Sequence, residues 1–184
     1  SGWIESVYVD ILDKIRTKLS IPVAMKIGPH FSGLANVMKK MVDHGARGLV
    51  LFNRFYRPDV DIENLRIIPA NVLSVPQEMA HTLQWIALMS ERLDCDFSAT
   101  TGIHDSGAVI KQLLVGANTV QLCSVLLKNG VDYLNVILTG LENWMKRHSF
   151  SSIDSFRASL CQENIENPVA FERSQYIKAL VGIE

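Results

Sequence analysis

The chain alternates amphipathic helical patterns with short apolar runs along most of its length. Residues 4–19 place apolar side chains at the three- and four-residue spacing of a helix, and residues 33–44 repeat that spacing. Residues 21–27 and 48–53 are apolar runs too short for a helix, so we predict strands there. We predict further helices and strands at the following positions: helices over 78–92, 105–115 and 131–147, and strands over 97–101 and 119–123.

This order, one helix followed by four strand–helix units, predicts an α/β protein with a parallel sheet and right-handed crossovers. Four βα units make half of a (β/α)8 TIM barrel, and a small flavodoxin-like sheet is the competing architecture. The segment GARG at 45–48 precedes one strand and the similar GANT at 116–119 precedes another, which favours repeated barrel units. We expect a single domain over 1–184, with the βα units in 1–150 and a helical extension in 151–184.

Two segments do not follow the alternation. Residues 54–76 are rich in charge and contain three prolines, so we predict an irregular excursion, and loops of this length are often functional. The tail over 152–180 carries two short helical stretches around Asn167 and Pro168. Gly45 directly follows a helical pattern, where a C-cap glycine is expected.

Composition narrows the class of protein. The 184 residues are 48% hydrophobic and 20% charged, with a formal net charge of −1, which is a soluble globular profile. A charge so close to zero favours neither nucleic acid nor an anionic membrane as a partner. The three cysteines are widely spaced and form no disulfide framework, which fits a reducing cytoplasm. No apolar run approaches the roughly 20 residues of a spanning helix, and no signal peptide is visible.

Small polar residues at two strand ends are the strongest chemical signal. Thr100, Thr101 and Gly102 end one strand before a helix, and Cys123 and Ser124 end the next strand. Neighbouring strand ends of this kind form a cradle in which backbone N–H groups, a helix N-terminus and a hydroxyl face an anion such as phosphate. The competing interpretation is an ordinary βα turn, with Cys123 as a small buried packing residue.

Single polar residues at other strand ends are more ambiguous. Lys26 lies in an apolar strand, where its ammonium either reaches solvent at the strand end or needs a partner. Asn53 ends the second strand, a position that commonly holds a simple turn residue. His30 and His104 follow strand ends, whereas the other three histidines, His44, His81 and His148, lie on helical segments and are expected at the surface. The sequence contains no metal-binding motif and no P-loop.

Several segments, in the right order and spacing, resemble the C-terminal half of dihydroorotate dehydrogenases and of dihydroorotate dehydrogenase-like flavoproteins. The similarity spans essentially the whole chain. The matching segments are PVAMKIGP at 22–29, LFNRFYRPD at 51–59, ATTGIH at 99–104, LVGANTVQLCS at 114–124, GLENWMK at 140–146, Asn167-Pro168 and FER at 171–173.

This resemblance implies a TIM barrel that holds FMN at the C-terminal ends of its strands and oxidises dihydroorotate to orotate in pyrimidine biosynthesis. By the same resemblance, Lys26 contacts the polar edge of the flavin and Asn53 binds the pyrimidine substrate. Thr100, Thr101, Gly102, Cys123 and Ser124 then hold the FMN phosphate. Two departures stand out. Thr101 replaces a glycine, and RFY at 54–56 replaces a Ser or Thr followed by Gly, which points to the dehydrogenase-like branch and leaves the substrate open between dihydroorotate and a similar dihydropyrimidine.

The family's general base is a Cys or Ser on a loop of the first half of the barrel, and that loop has no counterpart in these residues. We therefore expect the catalytic base in a missing N-terminal half and an inactive fragment without it. One alternative is a non-catalytic half-barrel that binds a phosphorylated ligand or self-associates, and a homo-oligomer is expected in either case. A phosphate-binding barrel of another class, such as a phosphosugar isomerase, fits LFNRFY at 51–56 less well.

Overall fold

The computed structural model describes residues 2–55, 57–70 and 72–172. In this part of the chain the strands are β1 (Ala24–Ile27), β2 (Gly48–Leu51), β3 (Pro58–Asp61), β4 (Arg66–Pro69), β5 (Asp96–Thr100) and β6 (Thr119–Gln121). The helices are α1 (Gly2–Arg16), α2 (Leu34–Asp43), α3 (Met79–Met89), α4 (Ser106–Leu114), α5 (Ser124–Asn129), α6 (Tyr133–Arg147) and α7 (Val169–Glu172).

The central sheet has four parallel strands in the order β1-β2-β5-β6. Crossovers between parallel strands are right-handed, so a sheet built in sequence order carries its helices on one face. A flavodoxin-like sheet would instead reverse direction at an early strand, and no such reversal occurs among these four. The α/β prediction is confirmed, and the architecture is consistent with part of a TIM barrel.

The strand register separates two faces of this sheet. Ile27, Leu51, Ala99 and Val120 are register partners across the four strands and pack with the helices, the first three of them fully buried. The next row toward the strands' N-termini, Lys26, Val50, Ser98 and Thr119, points to the opposite face because side chains alternate along a strand. We call this opposite side the inner face. Lys26 and Thr119 on it are exposed.

The repeated Gly-Ala segments are structurally equivalent. Gly45 and Gly116 follow α2 and α4 with φ of 90° and 112°, a left-handed conformation that glycine adopts without strain. The N–H groups of Ala46 and Ala117 donate to carbonyls of the preceding helix, Met41 and Gln112, at 2.9 Å in both cases. Both alanines are buried. The repeat therefore encodes one recurring helix-to-strand connection, as predicted from the sequence.

The prediction of an irregular segment over 54–76 is wrong, because this segment contains an antiparallel hairpin of β3 and β4. Pro58 pairs with Pro69 at its open end, and a two-stranded ribbon tolerates proline because its strands are both edges. Val60 and Ile67 are register partners on one face of the hairpin, and both are exposed.

Other element boundaries also differ from the predictions. The strand predicted over 119–123 ends at Gln121, and a short helix, α5, begins at Ser124 without having been predicted. The tail contains 3-10 turns at Ile153–Ser155 and Gln162–Asn164 before α7. Residues 173–180 of the predicted tail lie outside the described residues, and the single-domain assignment for 1–184 stays a prediction.

Candidate functional site

A cavity of about 440 Å³ lies at the carboxyl ends of the parallel strands. It is lined by all seven residues that the sequence singled out at strand ends, and these are Lys26, Asn53, Thr100, Thr101, Gly102, Cys123 and Ser124. Residues 72–74, from the loop that follows the hairpin, line it as well. Ligands of parallel α/β proteins bind at this end of the strands, so we take the cavity as the candidate site.

The turn after β5 forms one wall of the cavity. Thr101 has φ of 77°, a conformation that is costly for a β-branched residue, and its Oγ1 lies 3.5 Å from the Phe52 carbonyl. Gly102 follows with φ of 76°, and a Cβ there would run into the backbone nitrogen of Met79 at the start of α3. Glycine at 102 is therefore required by packing against α3, whatever the cavity binds.

A hydroxyl network forms the wall at the end of β6. The Ser74 N–H donates to Ser124 Oγ at 2.9 Å, and the Ser74 hydroxyl lies 2.9 Å from the same oxygen. Ser74 Oγ also lies 3.1 Å from His104 Nε2. Ser74 is only 5% exposed. The sequence analysis missed Ser74, since a serine in a charged, proline-rich segment carries no pattern that separates it from an ordinary loop residue.

The competing interpretation of Cys123 as a small buried packing residue is wrong. Its side chain is exposed and lines the cavity. The difference arises because β6 ends two residues earlier than predicted, so Cys123 precedes α5 instead of pairing within the sheet. The cavity therefore has an accessible thiol in its wall.

Lys26 and Asn53 lie on the cavity side of β1 and β2. The Lys26 side chain is exposed on the inner face, and among the described residues it has no ion pair or hydrogen bond. The Asn53 N–H donates to the Ile27 carbonyl at 2.8 Å, which extends the parallel pairing past β2. This backbone bond holds Asn53 at the rim of the cavity, where the residue is half-buried. An unpaired cation and an amide thus face the same space.

Arg54 fastens the loop that carries Ser74. Its Nε lies 3.1 Å from Glu78 Oε1, and its Nη1 donates to the Val72 carbonyl at 2.8 Å. Glu78 in turn accepts from the Val75 N–H at 2.8 Å. Arg54 is one of the departures noted in the sequence, and its contacts hold the loop that carries Ser74 against the end of β2.

A second cavity of about 700 Å³ adjoins the first and shares Phe52, Asn53, Arg54 and Thr101 with it. Its walls include His30 and His81. The ring centroids of His30 and Phe55 are 5.3 Å apart, and those of His81 and Phe52 are 5.2 Å apart. Partial burial, and secondarily the charge of His30, lowers the pKa of His81 below its ordinary value. His30 lies at the rim, as expected from its strand-end position. His81 and His148 are accessible to solvent, as expected for helical surface residues, so the burial of His81 is only partial.

A larger cavity of about 940 Å³ lies at the amino ends of the strands and includes none of the seven predicted site residues. Among the described residues, no group of three or more His, Cys, Asp or Glu side chains could hold a metal ion. No helix in the same part of the chain combines the length and hydrophobicity that crossing a membrane requires.

Known proteins resemble this chain in sequence and in fold. The chloroplastic dihydropyrimidine dehydrogenase (NADP(+)) of Arabidopsis thaliana is 25% identical over 162 residues, which cover 80% of this chain and 38% of the relative. The catalytic subunit of dihydroorotate dehydrogenase B (NAD(+)) from Saccharolobus solfataricus is 27% identical over 141 residues, or 74% of this chain and 48% of the relative. The predicted resemblance to the dihydroorotate dehydrogenases is confirmed.

The structural comparison agrees with the sequence comparison at the level of fold. A crystal structure of dihydroorotate dehydrogenase from Eimeria tenella, in complex with ferulenol, matches with a TM-score of 0.58 and 15% identity, over 73% of this chain and 36% of that chain. No protein-family model matches the chain. The chain spans less than half the length of these three relatives.

Proposed function

We propose that this chain is the C-terminal half of an FMN-dependent oxidoreductase of the dihydroorotate dehydrogenase type, and that its four βα units make half of a TIM barrel. The substrate in this proposal is dihydroorotate or a similar dihydropyrimidine, since the relatives are named for those two substrate classes. The observation that carries the proposal is the convergence of Lys26, Asn53 and the two strand-end turns on one cavity.

The residues around this cavity fit the phosphate end of FMN. The turn at Thr101 and Gly102 has consecutive residues with positive φ, a conformation that brings backbone groups close to a ligand. Ser124 adds a hydroxyl on the opposite wall, and among the described residues no carboxylate lines the cavity. A phosphate dianion there would meet donors and would not be repelled by an acidic neighbour.

The polar residues have distinct tasks in this proposal. FMN, when bound, supplies the acceptor for the two electrons of the oxidised carbon–carbon bond. Lys26 holds a positive charge against the polar edge of the ring and stabilises negative charge there. Asn53 orients the pyrimidine through its amide. The proton leaves the substrate to a base that we place outside these 184 residues, so this chain alone does not complete the reaction.

Flavin binding by the complete protein tests the proposal directly. The purified protein should carry visible flavin absorbance, and after flavin removal it should bind FMN more tightly than riboflavin, which lacks the phosphate. Anaerobic addition of dihydroorotate, and separately of dihydrouracil, should bleach the flavin with one of them. A folded protein that binds neither flavin would contradict the proposal and favour a non-catalytic half-barrel. Inorganic phosphate binding and sedimentation would then test that alternative.

Cellular location and assembly belong to the same proposal. The cysteine pattern suggests a cytoplasmic protein, although one relative is chloroplastic. The inner face and the outer edges of β1 and β6 are unpaired among the described residues. A second half-barrel, from the rest of a longer chain or from another copy, would cover these edges.

A further inference from the structure

We infer that His104 is a positioning residue that sets the direction of the hydrogen bonds from Ser74 to Ser124, so that Ser124 presents its proton to an anion in the cavity. The inference rests on the proposed FMN function, because it concerns the phosphate end of that same site. It adds a residue that does not itself line the cavity.

Ser124 Oγ has a crowded set of neighbours. A hydroxyl oxygen offers two lone pairs and one proton. The backbone N–H of Ser74 takes one lone pair at 2.9 Å, and the Ser74 hydroxyl, at the same distance, faces the oxygen from a second direction. If the Ser74 hydroxyl also donates, both lone pairs are used and the Ser124 proton is the only group left to face the cavity. Ser124 then becomes an obligatory donor.

The direction of the Ser74 hydroxyl depends on His104. Ser74 has one proton to give, and its oxygen lies between Ser124 Oγ and His104 Nε2. When Nε2 carries a proton, it donates to Ser74 Oγ, and the Ser74 proton turns toward Ser124. When Nε2 is bare, it attracts the Ser74 proton, the chain of bonds reverses, and Ser124 turns its own proton inward to Ser74. A lone pair of Ser124 would then face the cavity and repel an anion.

Burial makes this choice consequential. Ser74 is 5% exposed, so water has little access to replace a lost bond, and two facing acceptors would be costly. His104 is half-buried behind Ser74, and it follows the turn that contains Thr101 and Gly102. The histidine therefore links the two walls of the cavity: it follows the β5 turn in sequence and controls the hydroxyls at the end of β6.

A matched pair of variants in the complete protein tests the role of Nε2. His104→Gln places an amide N–H close to the position of Nε2, whereas His104→Asn is too short to reach it. We expect His104→Asn to weaken FMN binding about tenfold, as for loss of one hydrogen bond to a charged group, and to leave riboflavin binding within about twofold. His104→Gln should stay within about threefold of the wild type for both ligands.

A double-variant cycle adds a second criterion. Ser74→Ala removes the hydroxyl but keeps the backbone donor, and it should cost about as much FMN affinity as His104→Asn. Combining the two should cost little more than either one, because both interrupt the same chain of bonds. Equal losses with Gln and Asn, equal losses of FMN and riboflavin, or additive losses in the double variant would each overturn the positioning role.

The tautomer of His104 can also be determined in the unsubstituted protein, which avoids any folding defect. Side-chain ¹⁵N NMR distinguishes a protonated from a bare Nε2. We expect a proton on Nε2 of His104, and a bare Nε2 would overturn the inference even if the protein binds FMN. Failure of the proposed function has a different signature, since the unsubstituted protein would then bind FMN no better than riboflavin.

Discussion

Arg54 and Glu78 form an ion pair in the wall of the cavity that adjoins the candidate site, with Arg54 Nε 3.1 Å from Glu78 Oε1 and side chains only 26% and 16% exposed. Arg54 follows Asn53 at the end of β2, and Glu78 immediately precedes α3. The pair therefore ties the strand end to the loop that delivers Ser74. A residue that departs from those typical of dihydroorotate dehydrogenases thus holds a wall of the cavity in place.

Replacing Arg54 with alanine should loosen this loop. The variant loses the ion pair and a charge-assisted hydrogen bond to the Val72 carbonyl. We therefore expect the free energy of unfolding to fall by about 2 kcal/mol. Denaturant unfolding measures the change. Arg66→Ala is the matched control, because Arg66 pairs with Asp61 on the hairpin while 68% exposed, and such pairs contribute about 0–1 kcal/mol. An equal loss in both variants would contradict the proposed fastening.

The sequence predicted the sheet well because each strand lies beside its neighbour in chain order. Apolar runs and Gly-Ala connections at 45–46 and 116–117 are local signals, and they were sufficient for the four parallel strands. The same local signals placed Lys26, Asn53 and the turns at 100–102 and 123–124 at strand ends. Their meeting in one cavity then follows from the parallel arrangement, since carboxyl ends of parallel strands share one edge.

Long-range contacts explain what the sequence analysis missed. Ser74 reaches the site because Arg54 holds residues 72–78 in place, and its partner Ser124 is fifty positions away in the chain. The hairpin of β3 and β4 was hidden by its prolines, which read locally as breakers but lie opposite each other at its open end. The competing interpretation of Cys123 as a buried residue failed because cysteine is usually buried, whereas here an early strand end exposes it.

Thr101→Gly should stabilise the protein. A side chain with φ of 77° costs roughly 1–2 kcal/mol relative to glycine, and the Oγ1 contact with Phe52 is too long to repay it. We expect the melting temperature to rise by about 2–8 °C with FMN affinity undiminished. Thr101→Ala, which removes the hydroxyl but keeps a Cβ at positive φ, is the control and should gain less. A glycine variant that melts below the alanine variant would disprove the strain.

Thr101 is a better probe of the cradle than Gly102. A Cβ at Gly102 would meet the Met79 backbone, so a Gly102→Val variant is expected to disturb the start of α3 whether or not the cavity binds phosphate. If that variant bound flavin weakly, the result would not show whether a contact to the ligand was lost or whether the protein had misfolded. At Thr101, by contrast, stability and FMN affinity can be measured separately because the variants are expected to fold.

Lys26→Met should slow reduction of the bound flavin in the complete protein about 100-fold, because it removes a cation from the polar edge of the ring. Folding should be little affected, since the Lys26 side chain is exposed and has no ion pair among the described residues. Stopped-flow reduction under anaerobic conditions gives the rate. Lys26→Arg should recover part of it by restoring the charge, and a normal rate in the methionine variant would exclude the proposed role.

Stability should decline as the pH falls through about 6.5, in part because of His81. Partial burial, and then the charge of His30, lowers the pKa of His81 in the folded protein. The unfolded chain therefore takes up this proton more readily, and acid favours unfolding. His81→Gln should make the loss between pH 7 and 5 smaller, and His30→Gln should reduce it less. Unfolding curves at several pH values measure the slope, and a slope unaltered by His81→Gln would contradict this assignment.

Alkylation should distinguish the three cysteines. Cys123 is exposed in the cavity wall, whereas Cys161 is buried. Burial, with smaller effects from the carboxylates of Asp96 and Asp94, raises the pKa of Cys95 to about 12, so its reactive thiolate is scarce at neutral pH. We expect iodoacetamide to label Cys123 first, as followed by peptide mass spectrometry.

Ligand protection extends that measurement to the candidate site. If the phosphate of FMN lies between the turns at 100–102 and 123–124, saturating FMN should slow the labelling of Cys123 at least about tenfold, while riboflavin should protect less because it leaves the phosphate end open. Labelling of Cys95 in partly denatured protein provides an internal reference for reagent activity. Equal labelling of Cys123 with and without bound FMN would place the phosphate elsewhere, and the strand-end turns would then be ordinary connections of the sheet.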